Sequence, residues 1–132
     1  EEEALAARLL ARLEAGGFDP PWVRDLARAE GLPEEAVRAL LRKLARRGEA
    51  AQVVKDLFYA PRRVRELAAI AAELAAAAGG VQAARFRDAT GLGRKRAVQI
   101  LEFFDRIGYT RRVQRRGQDA HLLRGDAGSV FS

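Results

Sequence analysis

The chain has 132 residues, 48% of them hydrophobic, and a formal net charge of +6. That is enough for one ordinary domain or two small ones with a core. With no cysteine and a single histidine, His121, disulfides, thiolate metal sites and a zinc site are excluded, and no apolar run approaches the roughly 18 residues of a membrane span. The charge is uneven: residues 1–60 carry ten basic side chains against eleven acidic, residues 61–132 fourteen against seven. The half that could meet a polyanion is therefore the second.

Residues 4–15 place Leu5, Leu9, Leu10 and Leu13 on one face of a helix that stops at Gly16-Gly17. In F-D-P-P-W, Asp19 is a good N-cap with Pro20 in the first helical position, which predicts a second helix carrying Trp22, Val23 and Leu26 and ending near Gly31. A third begins at Pro33 with Glu34 and Glu35 in its first turn, buries Val37, Leu40, Leu41 and Leu44, and closes at Gly48. Two β-leaning runs, Ala51 to Lys55 and Leu57 to Ala60, flank Asp56 as a hairpin. Three helices followed by a hairpin is a winged-helix order.

Pro61 interrupts the chain and the order begins again. Val64 to Ala78 form an alanine-rich helix with Leu67, Ile70 and Leu74 on its apolar side, and Val81 to Ala84 lead into a helix around Phe86. The next stretch, Thr90 to Gly108, carries Ala97, Ile100, Leu101 and Phe104 on one stripe and Lys95, Gln99, Glu102 and Arg106 on the other. Phe103, next to Phe104, cannot share its stripe and is assigned to the wing or the neighbouring unit. Two strands follow, Tyr109 to Gln114 and Ala120 to Leu123, turning at Arg115-Arg116-Gly117-Gln118, and Gly125 to Ser132 read as a loose tail.

An offset of 60 residues lays one half on the other without a gap across the last two helices: Leu26 on Phe86, Gly31 on Gly91, Val37 on Ala97, Leu44 on Phe104, Gly48 on Gly108. The fold class is thus mainly α with small β-hairpins, two tandem winged-helix domains at 1–60 and 61–132, the second ending in a tail from about residue 125. The duplication supplies a control. Glu34 and Glu35 open the third helix of the first copy, as the helix dipole prefers, whereas Arg94 and Lys95 open that of the second. A fold that tolerates either charge does not demand the cations, and an anion such as phosphate does.

In a helix-turn-helix fold the third helix enters a groove by its N-terminal residues and the wing lies along the backbone. Arg94, Lys95 and Gln99 are placed for the first role, Arg111, Arg112, Arg115 and Arg116 for the second, and Arg87 points to the same end. Gly91 and Gly93 lack the G-K-[ST] ending of a nucleotide loop, so they are assigned to the turn between helices with N–H groups left for a phosphate or base. No catalytic constellation is present: one His, no Cys, and two Ser, both in the tail. His121 reads as a partly exposed strand residue within hydrogen-bonding reach of a nucleic acid.

The run R-F-R-D-A-T-G-L-G-R-K-R-A-V-Q-I-L-E-F-F-D-R-I-G-Y-T-R-R, Arg85 to Arg112, with H-L-L-R at His121 to Arg124, resembles the last winged-helix domain of the bacterial selenocysteine-specific translation elongation factors, the SelB family. The first half, with F-x-P-P at Phe18 to Pro21, resembles the preceding domain of that family. The resemblance implies an mRNA-hairpin-binding module in which Arg87, Gly91, Leu92, Gly93, Arg94, Lys95, Arg111, Arg112 and His121 face the RNA and the first domain is a spacer. It also implies a cytoplasmic monomer, part of a longer factor whose absent portion would carry the GTPase and meet the ribosome and selenocysteinyl-tRNA; no cofactor or metal is expected here. The wing, Val113 to Ala120, is longer and more basic than the family's pattern. The alternative from the same fold is a duplex-DNA-binding transcription regulator, and a third class is a winged helix that docks a protein.

Overall fold

The computed structural model describes residues 1–131. The chain divides into two compact units, Glu1–Val64 and Arg65 onward. The first contains α1 (Glu2–Ala15), α2 (Val23–Glu30), α3 (Glu34–Arg46) and the hairpin β1 (Ala51–Val54) and β2 (Leu57–Tyr59). α4 (Pro61–Ala78) crosses the division, and α5 (Ala83–Thr90), α6 (Arg94–Arg106), β3 (Thr110–Arg115) and β4 (Gln118–Leu123) complete the second. Each unit is a winged helix.

The duplication holds element by element. α2 and α5 have eight residues each, α3 and α6 thirteen, and all four boundaries keep the 60-residue offset. Gly31 and Gly91 end their helices in the left-handed conformation, φ 68° and 75°, where a side chain would be strained. The stripes predicted by periodicity are buried in both: Val37, Leu40, Leu41 and Leu44 in α3, Ala97, Ile100, Leu101 and Phe104 in α6. In the first unit they pack with Leu9, Leu13, Val23, Leu26 and Phe58.

Three expectations are corrected. α2 starts at Val23, with Trp22 as N-cap and Asp25 accepting from the Trp22 N–H at 3.2 Å. The physical reason is Pro21: it disfavours the helical conformation at Pro20, so the Pro-Pro segment stays extended, with Pro20 buried against the end of α1. The order does restart at Pro61, but α4 begins there and not at Val64, because the first helical position needs no N–H. Phe103 is buried along with its neighbour, 7% exposed against 0% for Phe104. Its ring lies 5.8 Å from that of Phe104, and the Arg106 guanidinium sits 5.7 Å over its outer face.

The tail is not loose. Ala127–Ser129 form a turn of 3-10 helix with Ala127 buried, and the Phe131 ring packs 6.3 Å from Phe104 and 5.2 Å from Tyr109. Phe86 meets Phe104 edge-on at 6.5 Å, so an aromatic cluster joins α5, α6, the root of the wing and the C-terminal turn. The Tyr109 hydroxyl donates to the Ala68 carbonyl at 3.0 Å, tying the cluster to α4. Polar residues and two glycines over 124–129 hid this closure, because one aromatic at the end carries no period. Phe131→Ala is expected to destabilise the chain by about 1–2 kcal/mol, less than a fully buried Phe because the residue is half-buried, as read by thermal or urea denaturation.

Candidate nucleic-acid interface

α5 ends at Gly91, where the Thr90 hydroxyl donates to the Phe86 carbonyl at 2.7 Å and accepts from the Leu92 N–H at 3.4 Å. Gly93 is the extended N-cap of α6 (φ −71°, ψ 161°) and has no side chain to cap with. No side chain caps α6, and no acidic residue lies in its first turn. Arg94 and Lys95 are both exposed there, and neither has a carboxylate partner among the described residues. A helix end without a capping side chain and two cations without a carboxylate point the same way.

The wing is a regular two-residue hairpin. β3 and β4 pair in register from Thr110↔Leu123 to Arg115↔Gln118, and Arg116 and Gly117 turn with φ 53° and 77°. Two positive φ values give the turn whose twist matches the strands, yet the first of them is an arginine, which pays strain there that glycine or asparagine would not. Alternation sorts the wing's cations. Arg112 and Gln114 face α6 across a groove of about 480 Å³ shared with Arg94, Val98, Glu102 and Gln118, whereas Arg115 lies on the other face beside Arg85.

Of the predicted residues, Arg94, Arg112 and His121 are brought together at this groove. Lys95 and Arg111 are exposed next to it along the chain, Gln99 and Leu92 are half-buried, and Gly91 and Gly93 form the turn. Arg87 is partly spent: its guanidinium lies 3.0 Å from Asp88. Arg112 has a looser contact with Asp119 at 3.8 Å. Val98 and Glu102 escaped the sequence reading, since a valine and a glutamate on a wet helix face carry no signal until the wing is folded over them.

His121 is not the partly exposed strand residue expected. It is 6% exposed, and its Nδ1 lies 2.9 Å from Asp105 Oδ2, whose other oxygen accepts from the Thr110 hydroxyl at 2.6 Å. Its backbone exchanges two 2.9 Å hydrogen bonds with Val81. It is a clasp inside the unit.

The first unit closes the corresponding groove on itself. Arg38, which the 60-residue offset places on Val98, reaches across to the hairpin turn with Nε 2.6 Å and Nη2 2.9 Å from the two Asp56 oxygens, and also meets Glu34 and Glu35. The Asp56 carbonyl accepts from the Val23 N–H at 2.9 Å. The Arg38 guanidinium holds the Asp56 carboxyl below the usual range. Where the second unit leaves Arg94 without a carboxylate and Arg112 only loosely held at an open groove, the first clamps its own with Arg38 and Asp56.

Two family models match the chain, one within each unit. Residues 72–117 match the family model described as elongation factor SelB, winged helix, and residues 3–59 that of the selenocysteine-specific elongation factor winged helix domain. The solved mRNA-binding domain of elongation factor SelB from E. coli in complex with SECIS RNA superposes with a TM-score of 0.81 at 45% identity, covering 93% of this chain and 96% of that one.

The chain belongs to the SelB elongation-factor family.

The selenocysteine-specific elongation factor of Escherichia coli K12 is 50% identical over 108 residues, and that of Haemophilus influenzae 33% over 124 residues. The SelB relatives are much longer: the matched segments are 17% and 19% of their lengths. The crystal structure of a bacterial selenocysteine-specific elongation factor, at 22% identity and a TM-score of 0.67, shares the fold over 93% of this chain.

The Arg38 clamp generates a prediction. Because the folded carboxyl of Asp56 titrates below its unfolded value, the clamp's contribution is whole above the ordinary aspartate range and is lost as pH falls through the lowered folded value. Asp56→Asn should cost about 1 kcal/mol near neutrality, given partial solvent screening. The gap from the parent should close in acid, as followed by thermal melts against pH.

Proposed function

We propose that this chain is the mRNA-tethering module of a SelB factor, its second unit gripping a SECIS-type hairpin and its first holding that grip away from the remainder of the factor. The observation that carries this is the contrast between the copies: one fold, with the helix tip acidic and the groove clamped in the first, the tip basic and the groove open in the second. The complex of the E. coli relative with SECIS RNA supports the choice of ligand.

The chemistry suits a hairpin. An A-form stem hides its base edges in a deep, narrow major groove, so phosphates set position and unpaired bases carry sequence. Arg94, Lys95, Arg111, Arg112, Arg115 and Arg116 supply phosphate contacts. The first-turn N–H groups of α6 beyond Gly91, Leu92 and Gly93 supply directional donors, and Gln99 and Glu102 offer hydrogen-bonding groups to a base. Arg87 contributes after release from Asp88, and His121 acts from inside. No catalytic step is assigned to the chain, and no cofactor is required. GTP hydrolysis and contacts with selenocysteinyl-tRNA and the ribosome, in the cytoplasm, fall to the rest of the factor.

Anisotropy titration of labelled hairpin RNA tests this reading. Arg94→Glu with Lys95→Glu should abolish binding, and each single alanine replacement of a phosphate-contacting cation should flatten the dependence of log K on log salt by roughly 0.7–0.9. A scrambled loop should bind weakly. Equal affinity for the scrambled loop would overturn loop readout, and B-DNA competing as well as the hairpin would turn the assignment to a duplex-DNA regulator.

A further inference from the structure

The second unit holds a small, mostly buried polar network at the root of its wing, with Asp105 21% exposed at its side chain. Asp105, in the last turn of α6, accepts from the Thr110 hydroxyl at 2.6 Å and faces His121 Nδ1 at 2.9 Å, with Thr110 1% and His121 6% exposed. Thr110 opens β3 and His121 lies on β4 directly opposite Arg112. One carboxylate therefore holds both strands of the wing at their root. The 60-residue offset puts Ala45 and Ala50 at the positions of Asp105 and Thr110, and there the first unit makes the same corner with Ala45 half-buried and Ala50 buried. Buried polar groups cost free energy wherever they are imperfectly satisfied, and apolar packing serves stability at least as well. Their presence only in the copy with the basic surface calls for a reason other than folding.

We propose that Asp105, Thr110 and His121 form a positioning clasp that fixes the angle between α6 and the wing, so that the cations at the helix tip and those on β3 meet one RNA at a set separation. Asp105 is eleven residues from Arg94, or about 16 Å along a rigid helix; Thr110 is adjacent to Arg111. The clasp thus joins the two sets of cations through stiff segments. Held in register, the second grip is an intramolecular event with a high effective concentration; on a swinging wing, that gain is lost to ordering entropy. His121 then acts through Asp105 and touches no RNA itself. The inference rests on the RNA-binding reading above.

The test uses the whole chain and four variants. Asp105→Ala and His121→Leu break the bond between the two side chains, Thr110→Val removes the hydroxyl, and His121→Asn keeps a donor where Nδ1 stood. Asp105→Ala and His121→Leu should each weaken hairpin RNA binding about tenfold while leaving affinity for an unstructured RNA of equal length unchanged. Thr110→Val should lie in the same direction, and His121→Asn close to the parent. In a double-mutant cycle, Arg111→Ala with Arg112→Ala should cost much less in the Asp105→Ala background than in the parent. Residual dipolar couplings of β3 and β4 amides relative to α6, measured without RNA, should change in Asp105→Ala.

Additive cycle energies, or couplings that stay unchanged, would overturn the clasp. So would His121→Asn failing as badly as His121→Leu while Asp105→Ala binds normally, a pattern that makes His121 a direct RNA contact. Were the parent itself indifferent to hairpin RNA, the functional reading would fall, and the dipolar couplings would still decide whether the clasp sets the wing.

Discussion

An α-helix leaves the N–H groups of its first turn without intrahelical partners, and the residues placed there decide what the end can hold. α6 has a glycine for its cap and cations in its first turn, so neither a capping side chain nor an acidic first turn offsets its positive end. The rest of the second unit follows from that constraint. The aromatic cluster around Phe104 fixes the helix, the wing folds beside it with Arg112 facing Arg94, and Gly91 with Gly93 keeps bulk away from the approach to the tip. Electrostatic discomfort at one end is tolerable because the buried stripe of α6 holds the helix regardless.

The first unit shows what the same backbone does when nothing is to be held. Glu34 and Glu35 complement the dipole of α3, and Arg38, anchored on Asp56, fills the space between helix and hairpin. Glu30, nearly buried at its carboxyl, takes Arg8 and Arg12 at 2.9 Å each, and these arginines hold it below the usual glutamate range. Charges there are consumed in stitching α1 to α2 and α3 to the turn. Similar residue types make a spacer in one copy and a grip in the other, and pairing decides which.

Helical period, glycine stops and the internal repeat made most of the fold legible in the sequence. All six helices, both hairpins and their order follow from these signals, and the charge reversal at Arg94 and Lys95 singles out the tip. Contacts between residues distant in sequence were hidden. The pairing of Asp105 with His121 spans sixteen residues, and a histidine flanked by alanine and leucine in a strand gives no sign of its depth. Phe131 lies far from any periodic run. Pro20 misled because a favourable first-turn residue was overridden by the proline after it, a local rule that only the pair reveals.

Two copies of one scaffold, alike across their second and third helices, also bear on how the interface differs from its framework. Val98 and Arg38 occupy equivalent places, as do Asp105 and Ala45; changing those positions moves the polar anchor of the hairpin from its tip in the first unit to its root in the second. An anchor at the tip covers the groove, whereas an anchor at the root leaves the groove open and still holds the wing. The open groove and the buried clasp are thus two sides of one change. A hairpin freed at its tip gains room for a ligand only if something else keeps it aligned, and in this unit that task falls to one carboxylate near the end of the same helix whose other end meets the anion.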